Sequence, residues 1–208
     1  MTEGHDFSSS SEPNHQDLNS PLPRKPRKAR TAKEDRGLPP DKELIELAAE
    51  YLRVQRKHWP KIVKVGLLPD VTDDNIAAMV EDFKHRHRTG QVDPGPLRRY
   101  LKYCSKLAGD YNRYSSENSS PKSIIDQMVN VLDKAKHEDR FVPWQYVFAD
   151  YSVSGLNPSR KGYSSYKAML QEKSHLIETT YIDDFTRASR DEIEWWRLAN
   201  LSRRLQNA

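Results

Sequence analysis

The sequence predicts an α/β protein built on a parallel sheet, and three observations lead to that expectation. From Lys106 onward, apolar runs and amphipathic patterns alternate strand, helix, strand, helix, strand, helix. Each helical pattern is long enough to return the chain from the end of one strand to the start of the next, the right-handed crossover that parallel strands require. The residues richest in chemistry fall just beyond each predicted strand, where ligands bind in open α/β sheets.

Taken in order, residues 1–38 contain a serine run at 8–11, the prolines Pro21, Pro23 and Pro26, and almost no apolar material, and so read as a disordered tail. Within it, residues 24–30 (Arg-Lys-Pro-Arg-Lys-Ala-Arg) form a basic cluster, which suits a solvated linker or a flexible arm on a phosphate backbone. Pro39 and Pro40 precede a helical pattern over 41–58, where Leu44, Leu47, Ala48, Tyr51 and Leu52 share a face and Pro60 marks the end. The apolar segment 62–68 fits a strand or a turn of helix. Thr72 is a good N-cap for a helix to residue 88, with Ile76, Met79, Val80 and Phe83 on one side. Leu97, Tyr100, Leu101 and Cys104 mark a third, short helix.

Segment 39–105 therefore reads as a helical module of unknown role, either a packing unit or a DNA-reading bundle. Its run His85-Arg86-His87-Arg88 spaces the histidines at i and i+2, which do not share a helix face. That reads as a solvated basic helix end rather than a metal pair.

Segment 106–208 opens with a strand over 107–114. Ser119, Ser120 and Ser123 are candidate caps for a helix reaching residue 136, with Ile124, Ile125, Met128, Leu132 and Ala135 inward. A strand at 144–149, a helix at 163–173, a strand at 176–182 and an amphipathic helix at 191–205 complete the pattern.

Bulk properties narrow the class. The chain has 208 residues, enough for one ordinary domain or two small ones. Its hydrophobic fraction of 36% lies below the roughly 45–50% usual for globular domains, and its mean hydropathy is −0.91, so part of it is expected to lack a core. Thirty-four basic against 30 acidic residues leave a net charge of +4, which permits nucleic-acid binding without requiring it. Cys104 is the only cysteine, which excludes intrachain disulfides and cysteine-based zinc sites. No apolar run approaches the roughly 18–20 residues of a membrane span, and the N-terminus lacks the order of a signal peptide. No membrane association and a cytoplasmic location are the expectation.

The chemistry concentrates beyond the three strands. The first ends in Tyr111-Asn112-Arg113-Tyr114-Ser115-Ser116, where alternation projects Arg113 and the nucleophile candidate Ser115 to one face, with Tyr111 behind them. Gln127 lies on the helix that follows. After the second strand come Asp150, Ser154 and Arg160; after the third come Arg187 and Arg190, which share a face if a helix begins there. Four arginines and one serine are thus brought towards one edge. Guanidiniums bind phosphate oxygens in bidentate fashion and stay charged at any working pH. Such a cluster is what metal-free phosphoryl transfer needs, and a covalent serine intermediate would conserve the energy of a cleaved phosphodiester.

Over about residues 106–205 the chain resembles the resolvase/invertase serine recombinases, including the large serine integrases. The likeness rests on Tyr-Asn-Arg-Tyr-Ser-Ser-Glu-Asn-Ser-Ser with Ser-Ile-Ile-Asp-Gln, on Asp-Tyr-Ser-Val-Ser-Gly with Arg-Lys-Gly-Tyr, and on Asp-Asp-Phe-Thr-Arg-Ala-Ser-Arg-Asp. The resemblance implies a three-layer parallel-sheet catalytic domain acting on DNA as a site-specific recombinase. Ser115 would attack a DNA phosphate to form a 5′-phosphoserine link, and Arg113, Arg187 and Arg190 would activate and stabilise that phosphate. Ser154 and Arg160 would help position it, with Tyr111 and Asp150 in the same group, while Gln127 would support the loop holding the serine. No metal or cofactor is implied, and the family works as dimers that pair into tetramers.

The sequence departs from the family pattern at three places. Asp184 and Thr186 stand where many members carry lysine and aspartate before the arginine, and Ser119 stands near a frequent glutamine. The family's catalytic domain also continues past the last predicted helix, so the expectation is a C-terminally incomplete domain with impaired activity and homo-oligomerisation in doubt. The alternative reading is a non-catalytic DNA-binding or regulatory remnant. A flavodoxin-like phosphate binder fits less well, because Gly155 and Gly162 are isolated and no glycine-rich phosphate loop occurs.

Overall fold

The computed structural model describes residues 35–93, 95–114, 124–151, 160–172 and 176–182, all within one compact unit spanning 31–208. The elements run α1 (Asp41–His58), α2 (Pro60–Lys64), α3 (Asp73–Thr89), α4 (Leu97–Tyr100), β1 (Lys106–Tyr114), α5 (Ile124–His137), β2 (Arg140–Phe141), a 3-10 turn (Trp144–Tyr146), β3 (Val147–Tyr151), α6 (Lys161–Gln171) and β4 (Ile177–Ile182). The protein is α/β with a parallel sheet: β1 pairs in parallel with β2, β3 and β4.

The register fixes the strand order. Leu107 pairs with both Phe141 of β2 and Ile177 of β4, while Asp110 pairs with both Val147 of β3 and Tyr181 of β4. A strand residue has one neighbour on each edge. Hence β4 takes one edge of β1, and β2 and β3 share the other as two pieces of one strand interrupted by the 3-10 turn. The chain leaves β1 towards one side and then crosses back from β3 to β4 on the other. Right-handed crossovers in opposite directions put α5 and α6 on opposite faces of the sheet. They also make the carboxyl end of β1 a topological switch point.

Both crossover helices bury an apolar stripe. Ile124, Met128, Val131, Leu132 and Ala135 of α5 are buried, and the helix packs on β1 and β2. Tyr166, Met169 and Leu170 do the same for α6, which packs on β3 and β1.

The expected boundary at Lys106 is not a seam. α1 packs against α5, α3 packs against α6, and one continuous core runs through both segments. Aromatic contacts cross the boundary: Tyr100 lies 4.4 Å and Trp59 5.8 Å from the Phe141 ring, and Tyr51 lies 5.1 Å from Trp144. The physical reason is the edge of the sheet. Where the 3-10 turn interrupts pairing, backbone carbonyls lose their ladder partners, and a buried carbonyl must find another donor. The Val142 carbonyl accepts from the Tyr51 hydroxyl and from the Gln55 amide, both at 2.8 Å. Arg86 donates to the carbonyls of Val147 at 2.9 Å and Trp144 at 3.2 Å, and the Trp144 indole N–H donates to the Met79 carbonyl at 3.0 Å. The α1–α3 pair thus covers an edge that would otherwise be a template for pairing.

Other expectations change in the same region. Of the two forms that segment 62–68 allowed, its first residues take the helical one, in α2 (Pro60–Lys64). The strand expected at 144–149 starts only at Val147, because residues 144–146 form the 3-10 turn after Pro143. Arg86 and His87 are buried rather than solvated, being 1% and 3% exposed. Residues 35–38 do not belong to a disordered tail: the Tyr151 N–H donates to the Gly37 carbonyl at 2.7 Å, and Asp35 pairs with Arg88 at 2.7 Å. The Thr72 cap holds, its hydroxyl accepting from the Asn75 N–H at 3.4 Å, and Gly90 closes α3 with φ of 74°. Among the described residues no helix is long and apolar enough to cross a membrane.

Candidate functional site

The expected site residues Tyr111, Arg113, Gln127, Asp150 and Arg160 converge at the carboxyl ends of β1 and β3. Arg113 is the register partner of Asp150. Partners in a parallel pair point to the same face, and Tyr111 shares that face with Arg113 at i+2. This face is the one that α6 covers, since the Tyr111 ring lies 5.4 Å from Tyr163 and 5.6 Å from Tyr166.

Asp150 organises the cluster. It is fully buried, and its carboxylate accepts from the backbone N–H groups of Gly162 at 3.0 Å and Tyr163 at 2.9 Å. These are among the first N–H groups of α6, which have no partner within the helix. Asp150 therefore caps α6 from the end of a strand, and the positive end of the helix favours its charge. The same carboxylate accepts from the Tyr111 hydroxyl at 2.9 Å. That hydroxyl in turn accepts from Arg160 Nη1 at 3.1 Å. The Arg160 guanidinium lies 4.5 Å from the Tyr163 ring centroid, within cation–π range.

Burial, followed by the neighbouring Asp150 charge, pushes the Tyr111 phenol well above its ordinary value. Tyr111 accordingly stays a neutral donor to Asp150 at physiological pH. It links the carboxylate to the guanidinium and carries no charge of its own.

Gly162 makes this packing possible. A Cβ there would lie 2.3 Å from the Ala149 carbonyl oxygen and 3.1 Å from Asp150 Cγ. Only glycine lets the start of α6 come close enough for its N–H groups to reach the carboxylate.

Gln127 works from the opposite face, on α5. Its Oε1 accepts from the Arg113 N–H at 3.2 Å, and its Nε2 donates to the Arg113 carbonyl at 3.0 Å. A side-chain amide here takes both backbone groups of one strand residue, as a neighbouring strand would. It pins the backbone two residues before Ser115, and the Arg113 side chain is itself buried at 6% exposure.

Ser115, Ser154, Arg187 and Arg190 lie outside the described residues, as do Ser119, Asp184 and Thr186. Among the described residues, no group of three or more His, Cys, Asp and Glu side chains is arranged to hold a metal ion.

Several contributors were not anticipated. His87, from α3, is buried and feels the Asp150 charge; burial lowers its pKa. Asp110 and Asn112 are fully buried and bonded to each other at 2.6 Å. Their alternation with Tyr111 and Arg113 in an otherwise apolar strand was the available signal. For Gly162 the signal was its position two residues after Arg160. His87 had none, because its partners are distant in sequence.

No protein-family profile, curated protein or solved structure matches this chain.

Proposed function

We propose that residues 106–208 carry the chemistry of a resolvase-like serine recombinase, cleaving and rejoining DNA through a covalent 5′-phosphoserine intermediate. The observation that carries this reading is the convergence of two buried guanidiniums, Arg113 and Arg160, at the carboxyl edge of a parallel sheet. The backbone there is pinned by Gln127, and the strand leads directly to Ser115. Burying cations is expensive, and phosphate recognition is a reason to keep them at a strand end.

In this reading, Ser115 Oγ attacks the phosphorus and loses its proton as the phosphorus–3′-oxygen bond breaks. The products are a phosphoserine ester and a free 3′-hydroxyl, and rejoining runs the same exchange in reverse. Arg113, with Arg187 and Arg190, stabilises charge on the equatorial oxygens, while Arg160, Tyr111 and Asp150 hold the geometry and Ser154 helps position the phosphate. The substrate is duplex DNA in the cytoplasm, the family's working form is a dimer or tetramer, and the chemistry calls on no metal or cofactor.

The test is a gel assay for covalent protein–DNA product on a nicked or suicide duplex, comparing the chain with Ser115→Ala. A serine-dependent adduct is the expected result. Salt-dependent DNA binding without any adduct would leave a DNA-binding protein and overturn the catalytic reading; no DNA binding at all would overturn both.

A further inference from the structure

A groove between helices carries an inference that does not depend on the reading of the strand ends. It lies between the antiparallel helices α1 and α3 and the start of α5, with a volume of about 690 Å³. A second depression of about 320 Å³ continues it along α1 and α3, and Ile45, Asp73 and Ile76 line both. The floor is apolar: Ile45 and Ala49 from α1, Ile76 from α3, and Ile125 and Val129 from α5. Ile45, in the second turn of α1, is 48% exposed.

The rim is acidic. Six carboxylates line the two depressions against two cations, Arg53 and Lys84. Both cations are already engaged, Arg53 by Glu50 at 3.0 Å and Lys84 by Asp41 and Glu81 at 3.0 Å each. Lys42 also pairs with Glu46 at 4.0 Å, so six carboxylates face three cations and the rim keeps a net negative charge on a chain whose net charge is +4. That sign favours a basic partner over a nucleic acid.

The shape selects a helix. Floor residues Ile45 and Ala49, and likewise Ile125 and Val129, stand at i and i+4, forming ridges between which a third helix packs. From Asp41 to Arg53 the groove runs for about 18 Å at 1.5 Å per residue, the length of roughly three helical turns.

We propose that this groove docks a basic amphipathic helix of a protein partner, with leucine-type side chains on the Ile45–Ile76–Val129 floor and lysines or arginines along the Glu46–Glu50 and Asp126 rims. Helix-in-groove recognition works in this way, with apolar anchors supplying affinity and rim charges supplying orientation and rate.

The experiment uses the full chain and a fluorescein-labelled 14-residue Leu/Lys peptide with heptad patterning, read by anisotropy at low and moderate salt. Saturable binding is expected, and it should weaken about tenfold or more in Glu46→Lys/Glu50→Lys, a change in the complementary field. Ile45→Ser, at an exposed position, should weaken it without altering the thermal melt. The same double reversal at Asp74 and Glu172, which line neither depression, should leave it nearly intact.

Four results would overturn the proposal: absence of binding, equal binding by a scrambled peptide of the same composition, equal loss in the control reversal, or no loss in Ile45→Ser. Concentration-dependent dimerisation abolished by Ile45→Ser would assign the groove to a second copy of the chain and overturn it as well.

Discussion

Arg86 and Arg160 are both nearly inaccessible and both lie against aromatic rings, yet the structure uses them differently. Arg86, at the covered edge of the sheet, is matched by a carboxylate and carbonyls: Asp82 at 2.9 Å, Val147 at 2.9 Å and Trp144 at 3.2 Å. Its guanidinium also lies 5.3 Å from Phe83 and 5.4 Å from Phe148. Arg160, at the carboxyl end, donates to a neutral phenol, and the carboxylate beyond that phenol is engaged by the start of α6. One cation completes the hydrogen bonding of an interrupted strand. The other reaches the Tyr111 hydroxyl and lies against the Tyr163 ring at the start of α6. A buried charge by itself therefore does not mark a functional site; the kind of group that accepts from it is the more informative sign.

The sharpest way to break this comparison is to remove each charge. Arg86→Met should cost about 2–4 kcal/mol, mainly because it leaves two carbonyls without a donor at a buried edge, Asp82 being itself part-exposed. Urea denaturation measures it. Arg86→Lys should recover little, because a single ammonium cannot reproduce the forked geometry. Arg160→Lys should cost markedly less stability but weaken DNA binding in a salt-dependent titration. If the two substitutions exchanged these outcomes, Arg160 would be the structural cation and the proposed site would lose its support.

Gly162→Ala comes next in size. The added methyl meets the Ala149 carbonyl oxygen at 2.3 Å, and a backbone group cannot swing aside as a side-chain tip can. The start of α6 must retreat from Asp150, at a cost of about 1–3 kcal/mol for overpacking. A crystal structure of the variant should show longer contacts from Asp150 to the Gly162→Ala and Tyr163 N–H groups. A variant as stable as the parent would show that α6 does not depend on this close approach.

The contrast also explains what the sequence made legible. Helices α1, α3, α5 and α6 and strands β1 and β4 were readable because each has an apolar period or run that its own residues decide. Tyr111, Arg113, Gln127, Asp150 and Arg160 were readable as a set because a parallel sheet brings strand ends together whatever the details of packing. The sharing of one core by α1, α3 and the sheet was not, since it depends on which carbonyls the 3-10 turn leaves open. Arg86 and His87 were misread for the same reason. Their immediate neighbours are basic, and the carbonyls of Trp144 and Val147 and the rings of Trp144 and Phe148, about 60 positions later, complete the burial of Arg86.

Gln127→Ala should have a smaller and more local effect, about 1–2 kcal/mol for two lost backbone contacts. Its signature is faster amide exchange at Arg113, with the rest of β1 unchanged. Uniform loss of protection along the strand would mean that Gln127 supports the whole sheet rather than its functional end.

The smallest expected effect concerns pH and two histidines, the buried His87 and the part-buried His58. Burial lowers the pKa of His87, reinforced by Lys161 and opposed by Asp150, the Arg36 carbonyl and Asp35. His58 is lowered by burial too, with Asp133 at 3.1 Å opposing. The folded protein therefore binds these protons less readily than the unfolded chain, whose imidazoles titrate near about 6.5. Their contribution is fully present above that value and is lost as pH falls from there through the depressed folded pKa values. Glu43, raised by burial, works in the opposite sense, but only in the more acidic carboxylate range. Between pH 7.5 and 5.5 the urea midpoint should decline modestly, and His87→Gln should reduce that decline. The glutamine amide can still donate to the Arg36 carbonyl, so the variant removes the titration while keeping the strap that joins residues 35–38 to the end of β3. An unchanged decline in His87→Gln would assign the pH dependence to His58 and separate it from the carboxyl end altogether.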